Sequence, residues 1–263
     1  MTTLLIATRN AHKVAEIRAI LGDRFHCLTL NDYPAAPKVI EDADTFAGNA
    51  TKKAVELARW LAHSFSVPEE SREDACAPAG RAPLPDFVLA DDSGLEVDAL
   101  NGAPGVHSAR YAALDKAENA RDTDNNAKLL RLLKDVPAEK RAGRFRCVIA
   151  LARVPEISHT ENASPVCLAD EFDARVFDGT CEGRIQFSPS GQGGFGYDPL
   201  FVPDGFKQSF AELGEDVKNR SSHRARALEK VKLFLLTVSA GKNGPRPEDW
   251  KSRSGTPTAP THS

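Results

Sequence analysis

Residues 86–111 read D-F-V-L-A-D-D-S-G-L-E-V-D-A-L-N-G-A-P-G-V-H-S-A-R-Y, and their interpretation decides the fold. Phe87, Val88, Leu89 and Ala90 form a short apolar run, partly β-branched, that predicts a buried strand. Asp91 and Asp92 follow, then Ser93 and Gly94, which are common turn residues. A second run, in which Leu95, Val97 and Ala99 alternate with Glu96 and Asp98, leads into the glycine-rich loop 101–105. The expectation is a strand that ends at Asp91-Asp92, placing two carboxylates at a sheet edge where open α/β proteins keep their ligand crevices. Hard oxygen ligands there suit Mg²⁺, which takes one or two carboxylates and shares its other positions with water and phosphate. The same residues also read as an ordinary polar turn between strands.

The flanking chain fits an α/β protein. A first strand over 4–7 runs into the polar loop Thr8-Arg9-Asn10-Ala11-His12-Lys13 and then a helix whose Val14, Ile17, Ile20 and Leu21 recur at three- and four-residue spacing. A loop opening a helix suits anion binding, because free N–H groups and the positive end of the dipole face it. The alternative is that Asn10 caps the helix and Lys13 is solvated. A second strand is expected over 26–30. The acidic run Glu41-Asp42-Ala43-Asp44 then precedes a helix over 45–63 with alanine at 47, 50, 54, 58 and 62. That run is either favourable charge at a helix start or a further source of metal-binding carboxylate. A helix over 125–136 is expected to bury Leu129, Leu130, Leu132 and Leu133. Strands are expected over 143–153, 171–177 and 182–187.

Downstream, Gly191, Gly193, Gly194 and Gly196 surround Phe195 and Tyr197. Such a loop either offers exposed rings to a flat base or closes as a tight aromatic turn. A last helical region starts at 210–213 and carries Lys218, His223 and Arg224, with Leu228, Val231, Leu235 and Val238 as its buried face. Residues 64–85 and 155–165 are polar insertions, and 241–263 form a low-complexity tail. The chain thus reads as one domain over 1–240.

Composition excludes several classes. A net charge of −3 disfavours broad binding of a nucleic-acid backbone. No apolar run approaches the ~20 residues needed to span a bilayer. Cys27, Cys76, Cys147, Cys167 and Cys181 are odd in number and scattered, which favours reduced thiols in a cytoplasmic protein.

Five segments taken in order are specific: T-x-N-x-x-K from Thr8 to Lys13, T-F-x-x-N-A from Thr45 to Ala50, A-D-D-S-G-L-x-V-D-A-L-x-G-x-P-G-V-x-S-A-R-Y from Ala90 to Tyr111, G-x-G-G-F-G-Y-D-P-x-F from Gly191 to Phe201, and K-x-x-x-S-H-R-x-x-A-L from Lys218 to Leu228. Together they resemble the inosine triphosphate pyrophosphatase family, the XTP/dITP diphosphatases, over residues 4–238 apart from the insertions. The resemblance implies a long bent mixed sheet flanked by helices, two lobes with a cleft between them, and a homodimer. It also implies Mg²⁺-dependent attack of water at the α–β linkage of a non-standard purine nucleoside triphosphate, giving monophosphate and pyrophosphate. By motif, the segment from Thr8 to Lys13 (Thr8, Arg9, Asn10, Ala11, His12 and Lys13) and Lys53 meet the phosphates, and Glu41 and Asp92 hold the metal. Asp92 is the base for the attacking water, with Asp91 supporting the metal through a water. Ser93, Phe195, Gly196, Tyr197, Asp198, Lys218, His223 and Arg224 line the substrate pocket.

Inosine and xanthine carry an oxygen acceptor at position 6 where adenine carries a donor, so His223 and Arg224 would distinguish them by hydrogen bonding. Arg9, His12 and Gly48 depart from the residues common at these positions in the family. A pyrimidine-directed pyrophosphatase of the Maf type and a nucleotide sensor without turnover are competing readings. The S-H-R segment opposes the first, and retention of Lys13, Glu41, Asp91 and Asp92 opposes the second.

Overall fold

The computed structural model describes residues 1–66, 82–113, 119–155 and 173–240. Most of both expected insertions, the expected tail, Cys76 and Cys167 lie outside the described residues. A six-stranded mixed sheet has the order β2-β1-β3-β4-β5-β6. Its strands are β1 (Thr3–Ile6), β2 (His26–Thr29), β3 (Phe87–Val97), β4 (Ala142–Arg153), β5 (Ala174–Ile185) and β6 (Phe201–Pro203). β1 is parallel to both β2 and β3, and every pair from β3 to β6 is antiparallel. The helices are α1 (Ala11–Leu21), α2 (Phe46–Ser66), α3 (Asp122–Leu132), α4 (Phe210–Leu213), α5 (Glu215–Ser221) and α6 (His223–Ala240).

Strand alternation divides the core. Leu5, Val88, Ala90, Val148 and Ala150 pack on one face against α2, where Ala50, Ala54, Ala58 and Ala62 form the expected small-residue stripe and Ala47, expected in it, is exposed in the first turn. Leu4, Ile6, Leu89, Ile149 and Leu151 pack on the other face against Ile17 and Leu21 of α1 and Leu228, Val231 and Leu235 of α6. Further along β3 and β4, a third cluster joins Leu95, Val97 and Phe145 to Leu129 and Leu133, Leu200, Phe201 and Phe210. The long strands therefore run from one core to the next, and Asp91 to Ser93 sit at the changeover.

Two expectations fail for one reason. The stretch around Asp91-Asp92 is neither a turn nor a sheet edge; β3 continues through it, between β1 and β4. Likewise, the strands expected at 171–177 and 182–187 are one strand, β5, which passes through Asp178-Gly179. In each case the glycine permits close packing and does not mark a turn. A Cβ on Gly94 would collide with Gly105 O and Ser108 Oγ, and one on Gly179 with His223 O. The helix expected over 125–136 runs from Asp122 to Leu132, with Leu132 exposed and Leu133 just past its end buried. The last helical region is three helices, broken at Gly214 and Ser222. Gly214 adopts a left-handed backbone (φ 79°) and ends α4.

Candidate active site

Because side chains alternate along a strand, Asp91 and Asp92 point to opposite faces of β3. Asp91 shares the α1/α6 face with Leu89, whereas Asp92 shares the α2 face with Ala90.

On the α1/α6 face, Asp91 is buried and accepts from Lys13 of α1, Arg224 of α6 (Nε, 3.1 Å), Ser93 Oγ (3.2 Å) and Cys147 Sγ (3.0 Å). Burial alone would raise its pKa, but the Arg224 and Lys13 charges outweigh that and hold the carboxyl well below its usual range. Arg224 also donates to Ser93 Oγ (2.8 Å) and to Glu16, and Glu16 pairs with Lys218 at 2.6 Å. Lys218 in turn pairs with Asp198 at 2.5 Å. A continuous row of alternating charges thus runs from Lys13 through Asp91, Arg224, Glu16 and Lys218 to Asp198. Each buried charge in it has opposite-charge partners, which is what makes such burial tolerable. His223 sits beside this row, stacked on Phe145 at 4.8 Å, with Nδ1 unpartnered. Its burial, then the Arg224 and Lys218 charges, push its pKa well down, so the ring is neutral at physiological pH.

On the α2 face, Asp92 accepts from Asn49 Nδ2 (3.0 Å) and from the Ser93 N–H (3.0 Å). Lys53 pairs with Glu41 at 2.8 Å and donates to Asp91 O at 3.2 Å. Burial is the main cause that pushes the Asp92 carboxyl up to about 6, and the negative charge of Glu41 adds to it. Lys13, Lys53 and the Asn49 hydrogen bond act in the opposite direction. Asp92 is therefore the carboxylate with both spare acceptor capacity and a proton affinity near neutrality, as a general base requires.

The loop before α1 has Asn10 as its cap: Oδ1 accepts from His12 N (3.0 Å) and Lys13 N (3.2 Å), and Thr8 Oγ1 accepts from Asn10 N (3.1 Å). These two helix N–H groups are thus engaged: Asn10 caps the helix, as the alternative reading of the loop has it, and they do not stand free for an anion. Lys13 is not a solvated lysine either, being committed to Asp91. Ala11 and His12 are exposed at the start of α1, and Arg9 reaches Ala36 O at 3.3 Å. In the glycine-dense loop, Phe195 stacks on His12 at 5.3 Å, with Lys218 Nζ 4.3 Å and Arg224 Cζ 5.8 Å from its ring centre. Tyr197 does not offer an exposed ring; it is buried and its hydroxyl donates to Ser108 O at 2.9 Å.

Sequence reasoning passed over Glu16, Asn49 and Cys147. Asn49 stood in the T-F-x-x-N-A segment, and Glu16 lies three residues from Lys13, the spacing that puts both on one helix face. The Asp91 oxygens, expected to support a metal through a water, accept here from Lys13, Arg224, Ser93 and Cys147. The Arg224 guanidinium likewise donates to Asp91, Glu16 and Ser93.

Related structures place this arrangement in a known class. A HAM1 protein from Coxiella burnetii superposes with a TM-score of 0.65 at 32% identity, covering 90% of this chain and 100% of that one. A Mycobacterium abscessus structure described as nucleoside-triphosphatase / dITP/XTP pyrophosphatase gives 0.58 at 33% identity, covering 88% and 98%. The mixed α/β fold is thus that of these structures. The Ham1 family model matches residues 4–234, and the chain belongs to the Ham1 family. Among curated relatives, the dITP/XTP pyrophosphatase of Shouchella clausii is 41% identical over 238 residues, covering 90% of this chain and 98% of that protein. The dITP/XTP pyrophosphatase of Geobacter sulfurreducens is 44% identical over 236 residues, covering 89% and 97%.

Proposed function

We propose that this protein hydrolyses non-standard purine nucleoside triphosphates (ITP, dITP and XTP) to the monophosphate and pyrophosphate, removing them from the nucleotide pool. The relatives named dITP/XTP pyrophosphatase support the reaction class. The observation that carries the reading to this chain is Asp92, a buried carboxylate whose pKa is raised to about 6, with Glu41, Lys53 and Asn49 around it and Lys13 near enough to lower its pKa.

In this reading Asp92 takes a proton from the water as the water oxygen bonds to the α-phosphorus. The bond from the α-phosphorus to the bridging oxygen breaks, and pyrophosphate leaves with the electron pair. Lys13 and Lys53 hold phosphate oxygens by charge-assisted hydrogen bonds. For Lys13 this means exchanging part of its contact with Asp91 for substrate. Phe195 supplies a stacking surface for the base next to Lys218 and Arg224.

Mg²⁺ belongs to this proposal, and the donor set fits it. Glu41 and Asp92 are hard carboxylates whose mutual repulsion raises Asp92, and a divalent cation relieves it. Among the described residues no group of three or more His, Cys, Asp or Glu converges, so water and phosphate oxygens would complete the shell, as Mg²⁺ prefers. When bound, the ion neutralises phosphate charge. A homodimer and a cytoplasmic location, implied by the family resemblance, complete the proposal. Among the described residues no helix is long and apolar enough to cross a membrane.

The test is product release from dITP, XTP, dGTP and dATP, with Mg²⁺ and with chelator. Pyrophosphate released from dITP and XTP only with metal is the expected result. Orthophosphate as first product would place attack at the γ-phosphorus and overturn the mechanism.

A further inference from the structure

The aromatic loop is held from outside the motif that contains it. α3 places Asp122 and Asn126 one turn apart on the same helix face. Asp122 Oδ2 accepts from Gly196 N at 2.6 Å, and Asn126 Nδ2 donates to Gly196 O at 3.0 Å. Both backbone polar groups of the residue after Phe195 are therefore gripped by one helix, while Phe195 N itself donates to Asp198 Oδ2 at 2.8 Å. Gly196 adopts a left-handed backbone (φ 65°), a conformation with little intrinsic preference to hold the loop in place. The grip sets it instead.

The bonding also fixes the Asn126 amide. Gly196 O accepts only, so Nδ2 must face it, and the buried Oδ1 is left without a partner. Helix α3 is in turn tied to the strand that carries Asp92. Asn125 Oδ1 accepts from Ala112 N (2.8 Å) and its Nδ2 donates to Ala109 O (3.2 Å). Ser108, in the same 105–113 turn, accepts from Leu95 N of β3 at 2.9 Å.

From this we infer that Asp122 and Asn126 are positioning residues for base recognition: by clamping the Gly196 peptide they set the Phe195 ring relative to Lys218, Arg224 and His12. The inference rests on the proposed function, since Phe195 must be the base platform for the clamp to matter. It assigns neither residue a contact with substrate.

The experiment first establishes dITP turnover by the wild type, which tests the underlying reading separately. Kinetics of Asp122→Ala, Asn126→Ala and Asp122→Asn follow, together with inhibition by inorganic tripolyphosphate, which engages the phosphate residues without a base. Asp122 is exposed, so its variant is expected to fold even if Asn126→Ala does not. Asp122→Ala should raise KM for dITP about tenfold, keep kcat within about twofold and leave the tripolyphosphate inhibition constant unchanged. Asp122→Asn retains an acceptor and should restore most of the loss. An unchanged KM in Asp122→Ala, a parallel rise in KM and the tripolyphosphate constant, or no rescue by Asp122→Asn would each overturn the inference.

Discussion

Asp91 and Asp92 share a peptide bond but little of their chemistry. Asp91 faces α1 and α6, where Lys13 and Arg224 hold its carboxyl well below the usual range. Asp92 faces α2, where burial and Glu41 push its carboxyl up to about 6. One is the anchor of a buried charge row and the other is left poised to accept a proton. A strand pleat separates them more effectively than many residues of intervening sequence would, because it decides which helix supplies the neighbours.

The largest effect that tests this contrast is on rate. Asp92→Asn should lower kcat by about a thousandfold, the range expected for loss of a general base, measured as pyrophosphate release from dITP. A rate near wild type would remove Asp92 from that role.

Stability should separate the two residues next, with opposite signs. Asp91→Asn leaves Lys13 and Arg224 short of their shared counter-charge, and urea denaturation should report a loss of about 3–5 kcal/mol. Asp92 has a folded pKa raised above its unfolded value, so its ionisation disfavours the folded state as pH rises from about 4 to about 6. Asp92→Asn, measured in chelator at pH 7, should therefore be stabilising, by about 1–3 kcal/mol. A loss of similar size in both variants would dissolve the comparison.

A smaller effect sharpens the Asp91 face. His223 is buried there with its pKa well below 6.5, so the unfolded chain binds a proton that the folded chain refuses. Its contribution is absent above about pH 6.5 and costs stability as pH falls below that value. Its own contribution between pH 7.5 and 5.5 should be a loss of about 1.4 kcal/mol, read as the difference between the wild-type and His223→Phe pH profiles.

The smallest effect concerns a second adjacent pair, Lys52 and Lys53. Lys52 pairs with Asp42 at the surface, whereas Lys53 is buried between Glu41 and Asp91 O. Lys52→Ala should leave kcat and KM unchanged, because exposed ion pairs contribute little. Lys53→Ala should raise KM on the order of tenfold, the value of one charge-assisted hydrogen bond. Equal effects would mean that the helix does not separate the pair as described.

Much of the fold was legible because periodicity survives folding. The alanine stripe of α2 and the apolar spacing of α1 are local patterns, and each predicted the face that packs on the sheet. The five segments also brought most of the candidate residues into view. What misled was local propensity at Asp91-Asp92-Ser93-Gly94 and at Asp178-Gly179, where turn chemistry was overridden by strand pairing on both sides. Those carboxylates and glycines are tolerable in mid-strand only because distant residues neutralise or pack against them. Glu16 was illegible for the same reason: nothing near it in sequence shows that Lys218 and Arg224 become its partners.

By itself, then, the sequence determined the α/β class, the family and the set of chemically capable residues, because composition, period and motif spacing are properties of the chain. Tertiary structure decided which of two neighbouring carboxylates is locked and which is poised, that Lys13 is committed to Asp91, and that α3 grips the aromatic loop. Charge state and reach depend on burial and on partners brought in from far along the chain, and these exist only once the strands and helices have packed.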